Sequence, residues 1–353
     1  MKALFIEDGS SFEELLSTSE NLDRLPVLKN MDLVFAKDTN MQKWKTPAEY
    51  IQKIETQGPE GWIIPDKAVM EEIKTAEILF VHASGVTRAL LEEGNKLKAI
   101  FCLRSGVEGI NLIAASELGI TVSNCPSRLA EPVSDMAIAF MLSECRGILR
   151  GNLIATDGDW QQRDVYEDRI NSPLCNLIIG IVGYGGIGKI LARKLVKGFG
   201  STVLAYDPFS SKEIMEKDGV IWSKTMAELL KKSDIVSMQA RLTDNTRNMF
   251  GENEFNQMKP TSIFINTARA GLVDEGALVK ALQNKVIRGA GLDVYSQEPL
   301  PKDHPFLNMN NVTLMPHRAG ATSTIVMNSL RLLMPEVERF VKGEKLHFQV
   351  NDT

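Results

Sequence analysis

Residues 177–209, LIIGIVGYGGIGKILARKLVKGFGSTVLAYDPF, constrain the fold more than any other stretch of the chain. A short apolar run, LIIGIV, meets a cluster of glycines. The glycines open a segment with helical apolar spacing, KILARKLV, which leads to a second apolar run, TVLAY. Short apolar runs bounded by turn residues read as strands, so the order is strand, tight turn, helix, strand, the core of a βαβ unit.

Gly183, Gly185 and Gly188 stand in GxGxxG spacing inside this unit. The spacing is common in loops and gains meaning only between a strand and a helix, as here. The first glycine makes the turn, the second lets the backbone approach a pyrophosphate, and the third lets helix and strand pack closely. Helix N-terminal amides then face the negative charge. The turn residues Gly183, Tyr184, Gly185, Gly186, Ile187 and Gly188 are therefore the expected dinucleotide-binding backbone. Asp207 ends the next strand, close to the ~20-residue spacing of an acid that accepts from a ribose 2′-hydroxyl. A carboxylate there repels a 2′-phosphate, so the pattern favours NAD over NADP; a turn aspartate before Pro208 is the alternative.

A chain of 353 residues exceeds the roughly 250 at which one core gives way to two, so two domains are expected. A net charge of -5 argues against nucleic acid as the main partner, which needs clustered positive charge. The N-terminal apolar run is too short for a signal segment and no run approaches a membrane span, so a cytoplasmic protein is expected. Cys102, Cys125, Cys145 and Cys175 are widely spaced without a CxxC pair, and read as buried free thiols. Four histidines without HExxH suggest no metal site.

Strand-like runs alternate with helical segments along the whole chain: ALFI (3–6), EILFVHA (77–83), KAIFCL (98–103) and TVSN (121–124), then DIVSMQA (234–240), SIFINTA (262–268), GAGLDV (289–294) and NVTLMP (311–316). This alternation implies α/β architecture with parallel sheets. The polar 38–75 stretch reads as a surface helix, a Gly/Pro loop and a second helix, and 130–153 as one long helix linking two domains. The 158–172 segment reads as polar connection, and 322–343 as a long amphipathic helix with no sheet of its own.

Three of the later strand ends carry Arg269, Glu298 and His317. Hydride chemistry on a 2-hydroxy or 2-keto acid needs a cation for the carboxylate and a proton shuttle for the C2 oxygen. Histidine suits the shuttle because it titrates near neutral pH. At these residues the sequence resembles the D-isomer-specific 2-hydroxyacid dehydrogenases. The resemblance is carried by GYGGIG (183–188), AYDP (205–208), INTARAGLVDEGAL (265–278), GAGLDVYSQEPLP (289–301) and HPFLNMNNVTLMPHRAGAT (304–322), with a weaker match in 97–124.

What the resemblance implies is a division of labour. Arg269 would hold the substrate carboxylate and polarise the C2 carbonyl, His317 would be the acid/base, and Glu298 would hydrogen-bond His317 and favour its protonated form. Asp293 would lie near the nicotinamide carboxamide, with Thr267 and Ala268 bringing backbone close to the cofactor. Ser84 and Gly85 resemble a loop whose amides bind the substrate carboxylate, and Ser105 and Gly106 a second substrate loop after Arg104. The layout implied is a Rossmann domain at 126–317 inserted into a flavodoxin-like substrate domain at 1–125 and 318–353, with a homodimer through the nucleotide domain. The expected function is NAD-dependent interconversion of a D-2-hydroxy acid and its 2-keto acid; the alternative is an NAD(H)-binding, redox-sensing regulatory protein with little turnover.

Several positions depart from the family pattern. Ala270 replaces the glycine after the arginine, Gln239-Ala240-Arg241 replaces HxP, and Glu108 and Asn111 alter the charge of the GVEGIN loop. Arg318 stands where the family has an uncharged residue. Both Arg241 and Arg318 are expected to point to solvent.

Overall fold

The computed structural model describes residues 1–158 and 172–352, so nearly all of the polar 158–172 connection lies outside the described residues. The chain folds as two units, Met1–Arg128 with Thr322–Thr353, and Leu129–Ala321. The junctions lie a few residues beyond the spans drawn from sequence. One reason is that Arg128 still belongs to the first unit, where it donates to His82 Nε2 at 3.1 Å.

The first unit is built on β1 (Lys2–Glu7), β2 (Asp32–Lys37), β3 (Ile78–Val81), β4 (Ala99–Cys102) and β5 (Thr121–Ser123). All pair in parallel in the order β2-β1-β3-β4-β5, the flavodoxin-like order. The register puts Phe35, Phe5, Phe80 and Phe101 side by side on neighbouring strands. Phe5 and Phe80 stack with centroids 4.4 Å apart, and Phe101 lies 5.5 Å from Phe80. The helix Ile325–Val341 covers this ladder with Met327, Leu330, Leu333, Met334 and Val337. Its apolar face, which the sequence leaves without a sheet, is thereby buried.

Sequence marks no strand at β2. Its ends are charged and only Ala36 is fully buried, so the apolar run that signals an inner strand is missing. The helices expected in 38–75 form at Pro47–Gln57 and Lys67–Ile73. The first is more than a surface helix. Its Tyr50 and Ile54 are buried with Ile63, and Trp44 and Trp62 pack edge-on against the Tyr50 ring.

The second unit contains β6 (Ile178–Val182), β7 (Thr202–Tyr206), β8 (Ile221–Trp222), β9 (Ile235–Met238), β10 (Ile263–Asn266), β11 (Gly289–Leu292) and β12 (Val312–Leu314). They form one parallel sheet in the order β12-β11-β10-β9-β6-β7-β8. The chain runs outward from β6 through β8, returns, and runs outward the other way from β9. That reversal is the Rossmann topology, and ligands bind at the crevice it leaves beyond the strand ends.

The single helix expected over 130–153 is two helices, Ala130–Arg146 and Ile148–Thr156. Gly147 between them is left-handed, with φ 63°, and its N–H bonds to Ser143 O, which ends the first helix in the manner of a glycine cap. Cys102, Cys125 and Cys145 are buried, whereas Cys175 is exposed, contrary to the expectation of four buried thiols. Burial pushes the Cys102 thiol up to about 11 and those of Cys125 and Cys145 to about 12, which makes these three poor nucleophiles. Among the described residues, no helix is long and apolar enough to cross a membrane.

Candidate active site

The glycine turn leaves β6 at the topological reversal. Gly183 has φ +100°, and a Cβ there would stand 2.5 Å from the Ala240 amide nitrogen, in the loop that follows β9. Both the turn and the close approach of the two strand ends therefore require glycine. A Cβ on Gly188 would run into the Gly183 carbonyl. Gly185 differs: no atom lies within 4 Å of its Cβ position, and the helix Gly186–Lys194 starts directly after it.

Open space above a helix N-terminus, at the reversal of a parallel sheet, fits the pyrophosphate of a dinucleotide. Asp207 ends β7 and is tied to the same turn, accepting from Tyr184 N at 2.6 Å and Phe209 N at 2.8 Å. Its carboxylate keeps lone pairs for a ribose hydroxyl. Tyr184 is buried, with its hydroxyl donating to Asp218 at 2.8 Å, so only its backbone is offered to a ligand.

The strand ends on the other side carry the titratable groups. His317 follows β12 with φ +52°, the left-handed region that few non-glycine residues enter. Its Nδ1 lies 2.7 Å from Glu298 Oε2. A carboxylate accepts only, so Nδ1 carries the hydrogen and Nε2 is the nitrogen left for proton exchange. Glu298 is positioned in turn, its Oε1 accepting from Tyr295 N at 3.1 Å.

Asp293, at the end of β11, accepts from Arg318 N at 2.7 Å and Ala319 N at 2.8 Å. It thereby fixes the two peptides that follow His317. Burial raises the Asp293 carboxyl above its usual value despite those two amides. Tyr295 adds a second tie, its hydroxyl lying 2.9 Å from Leu292 O and 2.8 Å from Met315 O. Sequence reasoning passed over Tyr295; an aromatic hydroxyl two residues beyond a strand-end aspartate was the signal.

Arg269 follows β10 and is exposed, donating from Nη1 to Ala268 O at 2.8 Å. Among the described residues, no hydrogen bond or ion pair joins it to Glu298 or His317. Thr267 and Ala268 are buried; the Thr267 hydroxyl accepts from Gln239 Nε2 at 3.0 Å, and Ala268 N donates to Asn266 at 3.0 Å. Gln239, in place of the family histidine, thus ties the end of β9 to the end of β10. Ala270 opens a 3-10 turn and is not left-handed, so losing the family glycine costs no strain. Arg241 and Arg318 are both exposed.

In the first unit, Ser84 and Gly85 follow β3, and Ser105 and Gly106 follow β4. Asp8, at the end of β1, organises the first loop by accepting from the amides of Ala83 and Ser84, the latter at 3.0 Å, and from the Ser10 hydroxyl. Burial pushes the Asp8 carboxyl up, but His82, Ser10 and the Ala83 amide outweigh it and hold it below its usual value.

The Ser84 amide is spent on Asp8, and the Ser84 hydroxyl is buried without a partner. Ser105 is similarly engaged, its hydroxyl lying 3.0 Å from Cys125 O. Sequence reasoning missed Asp8, although an acid at the end of the ALFIE strand was a visible signal.

Comparison with known proteins gives the same picture. The model of the D-isomer specific 2-hydroxyacid dehydrogenase NAD binding domain matches residues 138–319. The D-3-phosphoglycerate dehydrogenase of Methanocaldococcus jannaschii is 33% identical over 284 residues, 80% of this chain and 53% of that protein, so the chain spans about half the length of that relative. The glyoxylate reductase of Korarchaeum cryptofilum is 33% identical over 279 residues, 79% of this chain and 83% of that one. Among solved structures, the NAD-complexed D-isomer specific 2-hydroxyacid dehydrogenase of Lactobacillus delbrueckii ssp. bulgaricus has the same fold, with TM-score 0.76 at 22% identity over 99% of this chain and 100% of that chain. A family match over more than half the chain, centred on a glycine turn shaped for a dinucleotide, makes this protein a member of the D-isomer specific 2-hydroxyacid dehydrogenase family, with NAD as its cofactor.

Proposed function

We propose that the protein is an NAD-dependent oxidoreductase that interconverts a D-2-hydroxy acid and its 2-keto acid, with His317 as the acid/base. The observation that carries this reading is the His317–Glu298 pair, 2.7 Å apart, on a backbone that Asp293 holds in the left-handed region. NAD, when bound, supplies the hydride chemistry. His317 Nε2 gives a proton to the C2 oxygen during reduction and takes it back during oxidation. Glu298 orients the ring and balances its positive charge in the loaded state.

Arg269 supplies the cation for the substrate carboxylate. One of its five N–H groups is held by Ala268 O, which limits the arc of the guanidinium and leaves other donors for a bidentate grip. Gly183 to Gly188 and Asp207 hold the dinucleotide, with Thr267, Ala268 and Asp293 beside its nicotinamide end. Ser84, Gly85, Ser105 and Gly106 hold the acid. A cytosolic homodimer completes the reading, supported by four free cysteines and by exposed Ile148, Leu149 and Leu153 on the helix Ile148–Thr156.

NADH oxidation followed at 340 nm with glyoxylate, hydroxypyruvate, pyruvate and 2-ketoglutarate tests the activity. Reduction of at least one is expected. Tight NADH binding without reduction of any 2-keto acid would sink the enzyme reading and leave an NAD(H)-binding regulatory protein.

A further inference from the structure

The loops after β3 and β4 enclose a small cavity of about 20 Å³, lined by Ser84, Arg104, Gly106, Glu108 and His82 among others. That is room for a group about the size of a water molecule, so a phosphate or carboxylate would sit at its mouth. Its charges are unequal. Arg104 is paired with Glu55 at 2.7 Å, so its cation is already compensated. Both ring nitrogens of His82 are engaged, Nδ1 with Ser10 at 3.1 Å and Nε2 with Arg128 at 3.1 Å.

Glu108 is different. Its carboxylate is folded back over Gly106, into the space where a Cβ on that glycine would stand. Among the described residues it has no ion-pair or hydrogen-bond partner. Glu108 is thus a lining carboxylate with no paired cation. Beside that charge is a neutral hydrogen-bonding group: the Ser84 hydroxyl, in a residue 3% exposed, is buried without a partner.

We propose that Glu108 is a specificity-determining residue: it restricts the substrate to small 2-keto and 2-hydroxy acids whose only anion is the reacting carboxylate. Acids carrying a second anion, a phosphate or a distal carboxylate, are rejected. The inference rests on the function proposed above, in that the loops holding Ser84 and Gly106 receive the substrate. A second anion at the mouth of this cavity meets the exposed carboxylate of Glu108, and like-charge repulsion, though screened by solvent, disfavours it. The loop can carry this charge because Gly106, lacking a side chain, leaves space for the Glu108 carboxylate to fold inward.

Hydroxypyruvate and phosphohydroxypyruvate differ by a single phosphate and make the comparison direct. The wild-type protein is expected to favour hydroxypyruvate in kcat/KM. Glu108→Gln, which removes the charge and keeps the size, is expected to narrow that preference roughly tenfold or more. A melting temperature equal to that of the wild type would show that the variant is folded. A wild type that prefers the phosphorylated acid, or a ratio unmoved by Glu108→Gln, overturns the proposal.

A second measurement separates this proposal from the activity it rests on. The melting-temperature shift induced by D-glycerate or by D-3-phosphoglycerate, with NAD present, needs no turnover. If no 2-keto acid is reduced, yet D-glycerate alone stabilises the wild type and both acids stabilise Glu108→Gln, the activity reading falls and the charge selection stands. Equal shifts from both acids in the wild type overturn the charge selection.

Discussion

His317 occupies a backbone conformation that costs roughly 1–3 kcal/mol for most residues and persists only where neighbours over-determine it. Here the neighbours are identifiable. Asp293 takes the next two amides, His317 N bonds to Met315 O at 3.0 Å, and Glu298 holds the ring. Strain and proton-shuttle chemistry can be separated by substitution. Asparagine tolerates the left-handed region but has no titratable nitrogen. His317→Asn is therefore expected to lower kcat by about 10²–10⁴-fold while leaving the melting temperature nearly unchanged. An unchanged kcat would remove His317 from the chemistry, whatever the backbone does. The histidine and its glutamate were legible in the sequence; the left-handed turn that aims the ring was not, because it depends on an aspartate two dozen residues earlier.

At the scale of elements, the glycine turn does two separable jobs. Gly183 supplies positive φ and a close approach to Ala240, whereas Gly185 has φ -79° and open space. Gly183→Ala should therefore destabilise the protein by about 2–4 kcal/mol in urea unfolding. Gly185→Ala should leave stability nearly intact and weaken NADH binding instead, read by fluorescence titration. Equal loss of stability in both variants would contradict this division. The spacing GxGxxG identifies all three glycines, but only the packing against the β9 loop distinguishes the first from the second. Gly147 teaches the converse: apolar spacing runs through 130–153 almost unbroken, and one left-handed glycine divides it into two helices. Periodicity reports which face is buried and is silent about where a helix stops.

For the molecule as a whole, the first unit depends on two distant parts of the chain. The helix Ile325–Val341 supplies five buried side chains to the face of the sheet that carries the phenylalanine ladder. Beyond that helix, Val350 N bonds to Val122 O at 2.9 Å, and Asn351 accepts from Val122 N at 2.7 Å, so the last residues cover the edge at β5. A chain ending at Ala321 would expose Phe5, Phe80 and Phe101, and an uncovered apolar face with a free strand edge promotes aggregation. Such a truncation is expected to lower soluble yield sharply and to make residues 1–128 sensitive to limited proteolysis. A soluble product with those residues protected would show that the helix is dispensable to the first core.

The sequence by itself determined the α/β class, the dinucleotide turn and the inner strands, because each is written in local pattern or short spacing, and it marked His317, Glu298 and Arg269 as candidates through resemblance. Only the tertiary structure decided what those residues can do. β2 became visible through pairing with β1, since an edge strand with charged ends carries no apolar run. Asp8 took the Ser84 amide, Asp293 the amides after His317, and Glu108 the space above Gly106; each contact depends on what the fold brings to one strand end. Local pattern records which residues are buried and which turns are possible, whereas the use of a particular amide or carboxylate depends on partners that sequence separation hides.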